Sequence, residues 1–411
     1  MASDGRARIV IVGGGFGGLF TALNLAGAGE VVMVSAEDHF VFRPMLYEYM
    51  SGEVEAWHIA PFYKELLDER VQFVNAEATG VDFGARNVEL NYDGRAADIE
   101  YDFLILAAGS VTNYWGIEGA AEHTMPFRTI ADADALRRRM VEALDRIPPD
   151  AAPQDAQRAA TFVVVGGGAS GVELATKMAD LLRDAFERRG LRGEPRVLLV
   201  EMAKRVVPGM DEDIREAVEE ALQEKRVEMH TETRVVRVTP RAVVLEHGGE
   251  QTEVEEAAVV WVAGVRPSPL IEKLDAPKDR RGLLVVEPTL QVRGLTEVFA
   301  LGDNASFPDV VPSLFGTAQL AFQQSDLCAD NVQALLDGGV PGRKHFEELG
   351  EAVSLGTETA AVLAAGRVQT GALARQARFA LYTTRLPTWQ HRLRVGASWF
   401  FGSRAARPLV D

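Results

Sequence analysis

The sequence lacks several features that whole classes of protein require. It has a single cysteine, Cys328, in 411 residues, which excludes an intrachain disulfide and catalysis through a cysteine pair. No stretch approaches the roughly 18 uninterrupted apolar residues that a membrane-spanning helix needs. The N-terminal residues lack the apolar core of a signal peptide, so we expect a cytoplasmic protein. The seven histidines show no metal-ligand spacing, so we predict no metal site.

Acidic residues are absent from one long stretch of an otherwise acidic chain. The formal net charge is −17, which argues against nucleic acid as the main partner. Residues 359–410 nevertheless contain no Asp or Glu and carry eight arginines. These are Arg367, Arg375, Arg378, Arg385, Arg392, Arg394, Arg404 and Arg407. Such an asymmetry indicates that this stretch has a partner of its own.

Two segments of the chain repeat the same order of strand, glycine-rich turn, helix and strand. The first glycine turn, Gly13–Gly18, follows the apolar run Arg8–Val12. The second glycine turn, Gly166–Gly171, follows Thr161–Val165 and leads through a helical pattern to Arg196–Glu201. In such turns the first glycine makes the bend, the second admits a pyrophosphate, and the third lets helix and strand pack closely. One copy could serve packing alone, but two copies in this context predict two dinucleotide sites.

A carboxylate at the end of the second strand of such a unit accepts hydrogen bonds from ribose hydroxyls. In the second unit this residue is Glu201, which suits the free diol of NADH and repels the phosphate of NADPH. Lys204 and Arg205 lie close by in sequence and weaken that inference. In the first unit the position is Ser35, so either Glu37 takes the role or the ribose is held less tightly.

Two further apolar strands end in Ala-Gly, at Asp102–Gly109 and Ala258–Gly264. Small residues there would let the backbone pass close to a cofactor. By themselves they could be two ordinary core strands followed by turns. Beside the two glycine turns, the cofactor interpretation is the better one.

These features together resemble the two-dinucleotide-binding-domain flavoproteins and, among them, the type II NADH:quinone oxidoreductases. Ala318–Gln323 is similar to that family's Ala-Gln-x-Ala-x-Gln motif, and Phe42–Tyr47 is also similar to the family. Phe40–Gly52 and Arg385–Arg392 resemble the branch that reduces phylloquinone precursors. Disulfide reductases need a cysteine pair and sulfide:quinone reductases use several cysteines, so the single cysteine excludes both. We interpret Cys328 as a small core residue.

The resemblance implies an α/β fold with two nested Rossmann-like domains and a C-terminal membrane-anchoring segment. FAD would be held by the first unit and NADH by the second. The expected segments are 1–120 (FAD domain, first part), 121–158 (connecting helix and linker), 159–285 (NADH domain), 286–338 (FAD domain, second part) and 339–411 (membrane-associated domain).

The resemblance also implies the cofactor contacts. The residues expected to contact FAD are Gly13, Gly15, Phe16, Gly17, Gly18, Glu37, Arg43, Pro44, Ala78, Ala108, Gly109, Gly302, Asp303, Ala318 and Gln319. The residues expected to contact NADH are Gly166, Gly168, Ser170, Gly171, Glu201 and Gly264. Asp303 would hydrogen-bond the ribityl chain. A helix that starts near Ala318 would place its N–H groups at the flavin pyrimidine edge and stabilise the reduced flavin.

The expected reaction is hydride transfer from NADH to FAD, then electron transfer to a menaquinone-like quinone, without proton pumping. The resemblance places the quinone near Gln319 and Gln323. It places Glu173 near the nicotinamide and quinone, where a titratable group could supply protons. The alternative for Glu173 is a simple partner of the helix dipole.

Arginine and bulky apolar side chains alternate in the last part of the acid-free stretch. The apolar ones are Phe379, Leu381, Tyr382, Leu386, Trp389, Leu393, Trp399, Phe400 and Phe401. This pattern is typical of a segment lying on an anionic membrane surface, and Pro387 predicts two short helices. We therefore expect a peripheral protein on the cytoplasmic face of the cell membrane. The alternatives are a helix packed on its own chain or a homodimer interface.

Two other functions fit the residues. One is a soluble NAD(P)H-dependent flavoprotein reductase that passes electrons to a protein. The other is an interaction protein that senses nucleotides and turns over slowly.

Overall fold

The structure is a computed structural model that describes residues 6–307, 316–348, 350–364, 366–401 and 406–409. Its helices are α1 (Phe16–Asn24), α2 (Leu46–Met50), α3 (Ala56–Ile59), α4 (Tyr63–Leu66), α5 (Ala120–His123), α6 (Ile130–Asp145), α7 (Pro153–Ala159), α8 (Ala169–Arg189), α9 (Glu212–Glu224), α10 (Pro269–Lys273), α11 (Ala318–Leu336), α12 (Ala372–Thr384) and α13 (Trp389–Phe401). Short 3-10 helices span Arg43–Met45 and Gly302–Asn304.

The strands are mostly short. They are β1 (Arg8–Val12), β2 (Glu30–Ser35), β3 (Val71–Asn75), β4 (Glu77–Asp82), β5 (Asn87–Tyr92), β6 (Arg95–Glu100), β7 (Phe103–Leu106), β8 (Ser110–Thr112), β9 (Thr124–Pro126), β10 (Thr161–Val165), β11 (Arg196–Val200), β12 (Glu228–His230), β13 (Thr233–Val238), β14 (Ala242–His247), β15 (Glu250–Glu255), β16 (Ala258–Trp261), β17 (Val265–Pro267), β18 (Leu284–Val285), β19 (Val298–Ala300), β20 (Ala305–Ser306), β21 (Glu351–Ser354), β22 (Ala360–Ala364) and β23 (Arg367–Gly371).

The chain divides into two compact units, and unit 1 consists of residues 1–41, 60–111 and 265–349. Its main sheet is parallel, in the order β19-β7-β1-β2-β3. Ile9–Val12 are buried as a continuous apolar run, as expected for a central parallel strand covered on both faces. Helices α1 and α11 pack together, with the rings of Phe20 and Phe322 edge to face at 4.8 Å.

Unit 2 consists of residues 42–59, 112–264 and 350–411. Its parallel sheet has the order β12-β11-β10-β16-β9, and a separate antiparallel sheet is formed by β13-β14-β15. The apolar core shared by these sheets includes Trp261, whose indole N–H donates to the carbonyl oxygens of Asn113 and Ala263. A third sheet, β21-β22-β23, is followed directly by α12.

Helix ends follow the sequence signals. Helix α11 begins at Ala318 as expected, and the hydroxyl of Thr317 caps it by accepting from the N–H of Leu320. Helices α12 and α13 are separate, which confirms the predicted break near Pro387. Among the described residues, no helix is both long and apolar enough to cross a membrane.

The boundaries of the two units differ from the boundaries of the expected segments. Residues 42–59 and 350–411 belong to unit 2, so the C-terminal stretch is not a unit by itself. The segment 121–158, expected as a connecting helix and linker, contains the helices α6 and α7. The assignment of one cofactor to each domain stays a prediction.

The C-terminal residues 406–409 are held on unit 2 by several hydrogen bonds, and those of Arg137 reach two of their carbonyl groups. The guanidinium of Arg137 donates to the carbonyl oxygens of Met50, Arg407 and Pro408 at 3.1, 3.0 and 2.7 Å. The backbone N–H of Arg407 in turn donates to the carbonyl of Ser51 at 2.8 Å. The chain after α13 therefore returns to the body of its own unit.

The last glycine of each glycine turn sits where no side chain fits. A Cβ added to Gly18 would lie 1.8 Å from the carbonyl oxygen of Gly13, and one on Gly171 would lie 1.7 Å from that of Gly166. These are the close contacts between helix and strand that the sequence pattern predicts.

We expect Gly18→Ala and Gly171→Ala each to lower the free energy of unfolding by about 1–3 kcal/mol, because overpacking forces the backbone apart. Gly15→Ala and Gly168→Ala are matched controls, since their φ angles of −72° and −70° suit alanine and no atom lies within 4 Å of an added Cβ. For these two we expect changes within about 0.5 kcal/mol. Denaturant unfolding of the four apoproteins measures the difference, and equal losses in all four would contradict it.

Candidate functional site

The first glycine turn lies at the carboxyl end of β1 in unit 1. Gly13 has a φ of +107°, and a Cβ there would lie 2.2 Å from the carbonyl oxygen of Ala107 at the end of β7. An added Cβ on Gly15, in contrast, would meet nothing within 4 Å. Gly15 is the N-cap of α1, so the open space lies where the helix presents its free N–H groups.

The neighbouring strand ends add polar groups at the same edge of the sheet. Asp303 follows β19, and its Oδ2 accepts a hydrogen bond of 2.6 Å from the hydroxyl of Ser110. Ser110 follows Ala108 and Gly109, the predicted residues after β7. The strand order β19-β7-β1 thus brings the predicted Gly-Asp and Ala-Gly ends to the first glycine turn.

The other residues expected to contact FAD lie at different places. Glu37 is exposed beyond the end of β2, and Ala78 is half-buried on β4. The ring of Phe16 packs edge to face on Phe40 at 5.1 Å. Arg43 and Pro44 form a 3-10 helix in unit 2, whereas the first glycine turn belongs to unit 1. These contacts stay predictions.

The second glycine turn repeats this geometry in unit 2. Gly166 has a φ of +112°, and a Cβ there would lie 2.9 Å from the backbone of Ala263, just after β16. Gly168 is the N-cap of α8 and again faces open space. The carboxylate of Glu201 accepts from the N–H of Gly167 at 2.7 Å and from that of Ala203 at 2.8 Å. Each carboxylate oxygen of Glu201 keeps lone pairs that can accept further hydrogen bonds, for example from the hydroxyls of a ribose.

Arg205, which lies near Glu201 in sequence, is paired with other acids. The guanidinium of Arg205 donates to both carboxylate oxygens of Glu219 at 2.8 Å and pairs with Glu212. These hydrogen bonds raise the pKa of Arg205. Lys204 is exposed. Because Arg205 is paired with these acids, it is not available to bind the ribose phosphate of NADPH, a role that the sequence left open.

Two further NADH contacts are predicted, one inside the turn and one after β16. Ser170 is exposed in the first turn of α8. Gly264 has a φ of +71°, and a Cβ there would lie 2.8 Å from the indole nitrogen of Trp115. Trp115 is 65% exposed, so the glycine lets a largely exposed indole lie on the backbone.

The two predicted quinone-binding glutamines lie on α11 in unit 1, and their side chains meet the backbone of Glu347. Gln323 is buried, and its amide both donates to the Glu347 carbonyl at 2.8 Å and accepts from the Glu347 N–H at 3.0 Å. Gln319 donates a longer hydrogen bond of 3.4 Å to the same carbonyl. Gln323 therefore holds the chain after α11 in place, and the amide of Gln319 is the less committed of the two.

Glu173 lies on α8 in unit 2 and is buried, 6% exposed. Its Oε1 accepts from the guanidinium of Arg378 at 2.7 Å and from the N–H of Ser354 at 2.9 Å. Burial raises the pKa of Glu173 to about 7, the charge of Glu48 adds to this, and Arg378 opposes it. Such a carboxyl can gain or lose a proton near neutral pH, which a plain partner of the helix dipole would not.

Sequence reasoning did not place three charged residues beside Glu173: Glu48, Lys177 and Arg378. All three side chains are about 1% exposed. Two signals could have found them. Glu48 is the one acid in the apolar run Met45–Met50, and Lys177 lies one helical turn after Glu173 in a helix that is otherwise apolar there.

The C-terminal stretch was only partly interpreted correctly. Arg378 was expected to face membrane headgroups, but it is 1% exposed and paired with carboxylates, so that expectation is wrong for it. Phe379, Leu386 and Trp399 are likewise buried in the protein, at 2%, 0% and 6% exposed. The pattern of alternating charge and bulk cannot distinguish a membrane face from a helix that packs on its own chain.

Exposed apolar side chains on α13 are nevertheless present. Trp389 and Leu393, one helical turn apart, are 65% and 63% exposed. Arg394 lies beside them in sequence, with its guanidinium 5.4 Å from the centre of the Trp57 ring. The expected roles of Arg404 and of the Phe400 and Phe401 side chains fall outside the described residues.

The geometry of both glycine turns fits a dinucleotide. In each, the first and last glycines are closed in by backbone, while the middle glycine opens onto space at a helix N-terminus. Only the second turn has a carboxylate, Glu201, on the adjoining strand, as the sequence indicates. The first turn instead has Asp303 at the end of β19.

Comparisons with known proteins agree with this geometry. Residues 7–325 match the pyridine nucleotide-disulphide oxidoreductase family. Demethylphylloquinone reductase NdbB of Synechocystis is 37% identical over 100% of this chain and 98% of its own length. The type II NADH:quinone oxidoreductase Ndh of Mycobacterium tuberculosis is 32% identical over 82% of this chain and 75% of its own.

A solved structure shows the same fold. NDH2 from Plasmodium falciparum, in complex with NADH, superposes with a TM-score of 0.85, is 16% identical, and covers 99% of this chain and 100% of its own. The description of the broad family names disulphide chemistry, whereas the single cysteine of this chain, Cys328, is free and buried. Within that broad family, this chain is an oxidoreductase enzyme with the dinucleotide-binding flavoprotein fold, and it belongs to the type II NADH:quinone oxidoreductases.

Proposed function

We propose that the protein takes hydride from NADH onto FAD and passes the electrons to a menaquinone-like quinone, without proton pumping. The observation that carries this proposal is the pair of glycine turns, each with an open middle glycine at a helix N-terminus. The names of the relatives at 32–37% identity support the quinone as acceptor. FAD and NADH are the cofactors, and when bound they supply the redox chemistry.

The chain itself binds, orients and handles protons. Gly15 and Asp303 would hold FAD, and Gly168 and Glu201 would hold NADH. Reduction of a quinone consumes protons as well as electrons, and Glu173 is the titratable group that we propose as their source. We propose Gln319 as a ligand of the quinone headgroup, because the amide of Gln323 is committed to Glu347.

The choice of NADH over NADPH follows from the charges beside the second glycine turn. The carboxylate of Glu201 repels a ribose phosphate, and Arg205 is held by Glu212 and Glu219. An unpaired arginine at this place would favour NADPH.

We further propose that unit 2 attaches to an anionic membrane on the cytoplasmic face of the cell membrane through α13. The support is the exposed pair Trp389 and Leu393 in a stretch with no acidic residue. Tryptophan and leucine enter the interfacial region while neighbouring arginines meet lipid phosphates. Quinones dissolve in lipid, so this attachment brings the enzyme to its substrate.

The first prediction concerns the reaction. Purified, FAD-loaded protein should oxidise NADH rapidly when a soluble menaquinone analogue is present, and Gly168→Ala should keep its FAD but lose reduction by NADH. Steady-state absorbance at the nicotinamide band measures the rate. Fast flavin reduction with reoxidation only by a protein acceptor such as ferredoxin would refute the quinone and indicate a soluble reductase. Slow turnover with every acceptor would favour a nucleotide sensor.

The second prediction concerns the dinucleotide. Glu201→Gln should raise KM for NADH and lower the preference for NADH over NADPH by about tenfold or more, because a charged hydrogen-bond acceptor is worth about 1.5–3 kcal/mol. Glu216 is an exposed acid on α9, so Glu216→Gln is a control that changes the net charge by the same amount. Measured kcat/KM ratios that do not differ between the two variants would rule out Glu201 as the selecting residue.

The third prediction concerns the membrane. The double variant Trp389→Ser and Leu393→Ser should bind vesicles of anionic lipid about tenfold less tightly, because it loses two apolar anchors. Turnover with a water-soluble quinone should be unchanged. Met202→Ser, 74% exposed elsewhere in unit 2, is the matched control. Deleting the whole tail is a poor test because it removes the buried Arg378. Equal vesicle binding by the double variant and the wild type would eliminate α13 as the attachment site.

A further inference from the structure

Six charged side chains form a buried cluster inside unit 2, which we call the charge cluster. Helix α8 provides two, the segment 48–53 provides two and α12 provides two. They are Glu173 and Lys177, Glu48 and Glu53, and Arg375 and Arg378. Every one of these side chains is at most 12% exposed. The three acids and three bases balance if all are ionised, which is the condition for burying charge at moderate cost.

Arg378 bridges the carboxylates of Glu48 and Glu173. One terminal nitrogen donates to Glu48 at 2.7 Å, and the other donates to Glu173 at 2.7 Å and to the carbonyl of Pro44 at 2.9 Å. The guanidinium also lies 4.6 Å from the centre of the Tyr382 ring. Its orientation is therefore set from several sides, and Glu48 is the charged group that holds it opposite Glu173.

Glu48 also touches the second cation. The ammonium of Lys177 lies 3.4 Å from Glu48 and 2.5 Å from Glu53, and it donates to the carbonyl of Gly356 at 3.0 Å. Glu48 thus faces two cations, whereas among the described residues Glu173 pairs with Arg378 alone. The cations are divided unequally between the two carboxylates.

We infer that Glu48 is a positioning residue for Glu173: it fixes Arg378 beside Glu173 and takes up part of the guanidinium charge, so that Glu173 is the acid that exchanges protons. This inference rests on the proposed function, in which Glu173 supplies protons to the reaction. Neither the sequence motifs nor the comparisons assign a role to Glu48.

The electrostatics agree with this geometry. Burial alone would raise the pKa of Glu48, but Arg378 and Lys177 hold it below its usual value. Burial raises the pKa of Glu173 to about 7, and the negative charge of Glu48 adds to that rise. When the environments of two neighbouring carboxyls give them different pKa values, one carboxyl stays charged and the other exchanges protons.

Other groups face Glu173 as well and must be considered. Tyr47 on α2 and Tyr382 on α12 both have their own pKa raised, chiefly by burial. Ser354 donates its N–H to Glu173, and this lowers the pKa of the carboxyl, as Lys177 does. Both tyrosines are neutral at pH 7, so Glu48 is the neighbouring negative charge that a substitution can remove.

One oxygen of Glu48 supports a role beyond packing. Its Oε2 is buried and has no hydrogen-bond partner among the described residues. A carboxylate kept for stability alone would gain by satisfying both oxygens, since an unpaired buried acceptor costs about 1–3 kcal/mol in mutational studies. Both cations contact the other oxygen, Oε1, so the charge of Glu48 is directed at Arg378 and Lys177.

The test compares two substitutions with opposite expected effects. Glu48→Gln removes a negative charge, so the pKa of Glu173 should fall by about one unit or more. Lys177→Gln removes a positive charge, so the pKa of Glu173 should rise. The readout is the infrared C=O band of the protonated carboxyl, identified by its loss in Glu173→Gln, titrated on the oxidised, FAD-loaded enzyme without quinone.

The pH dependence of quinone reduction is the second readout. If protonated Glu173 donates the proton, the rate falls as pH rises through its pKa, and this limb should move to lower pH in Glu48→Gln and to higher pH in Lys177→Gln. Glu53→Gln, which removes a buried acid that does not pair with Arg378, should move it less than Glu48→Gln.

The two readouts separate failure of the inference from failure of the proposed function. An infrared titration that is the same in Glu48→Gln and wild type would overturn the role of Glu48. An infrared shift in the expected direction without a shift in the rate limb would support the role of Glu48 and remove Glu173 from the proton step. If Glu48→Gln does not retain FAD, Lys177→Gln still decides, because a rise supports the electrostatic arrangement and no change overturns it.

Discussion

The close approach of helix and strand at each glycine turn is the constraint on which the rest of both units depends. The last glycine of each turn leaves no room for a carbon atom beside the preceding carbonyl, so α1 and α8 start directly at the ends of β1 and β10. That placement leaves the middle glycine facing open space. The same local geometry occurs twice in the chain. It provides two nucleotide sites that share one backbone arrangement but differ in the residues around them.

The buried charge cluster is the second organising feature, and it connects a surface helix with the interior of unit 2. Helix α12 contributes Arg375 and Arg378, which meet carboxylates from α8 and from residues 48–53. Removing one member of such a cluster leaves its partner buried without compensation, so the elements it joins are held together as one body. The residue proposed to handle protons is therefore supported by a helix near the C-terminus.

Much of the fold was predictable because glycine turns, apolar strands and helix caps are local signals. The strands β1 and β10, the start of α11 at Ala318 and the break near Pro387 all follow from such signals. The charge cluster was not predictable, since its members lie up to 330 residues apart in the chain and each resembles a surface charge in sequence. The hydrogen bonds between Gln323 and Glu347 were not predictable for a similar reason, because a backbone partner leaves no mark on the sequence.

The anchoring of the C-terminal stretch at both of its ends has a mechanical consequence. Arg378 fixes it within α12, and Arg137 fixes residues 406–409 through carbonyl contacts. The described part of the stretch is therefore held on unit 2 and does not form a flexible tether between protein and lipid. A bilayer bound through Trp389 and Leu393 would hold unit 2 in one fixed tilt, and the distance from the lipid surface to Glu173 would be a constant of the fold.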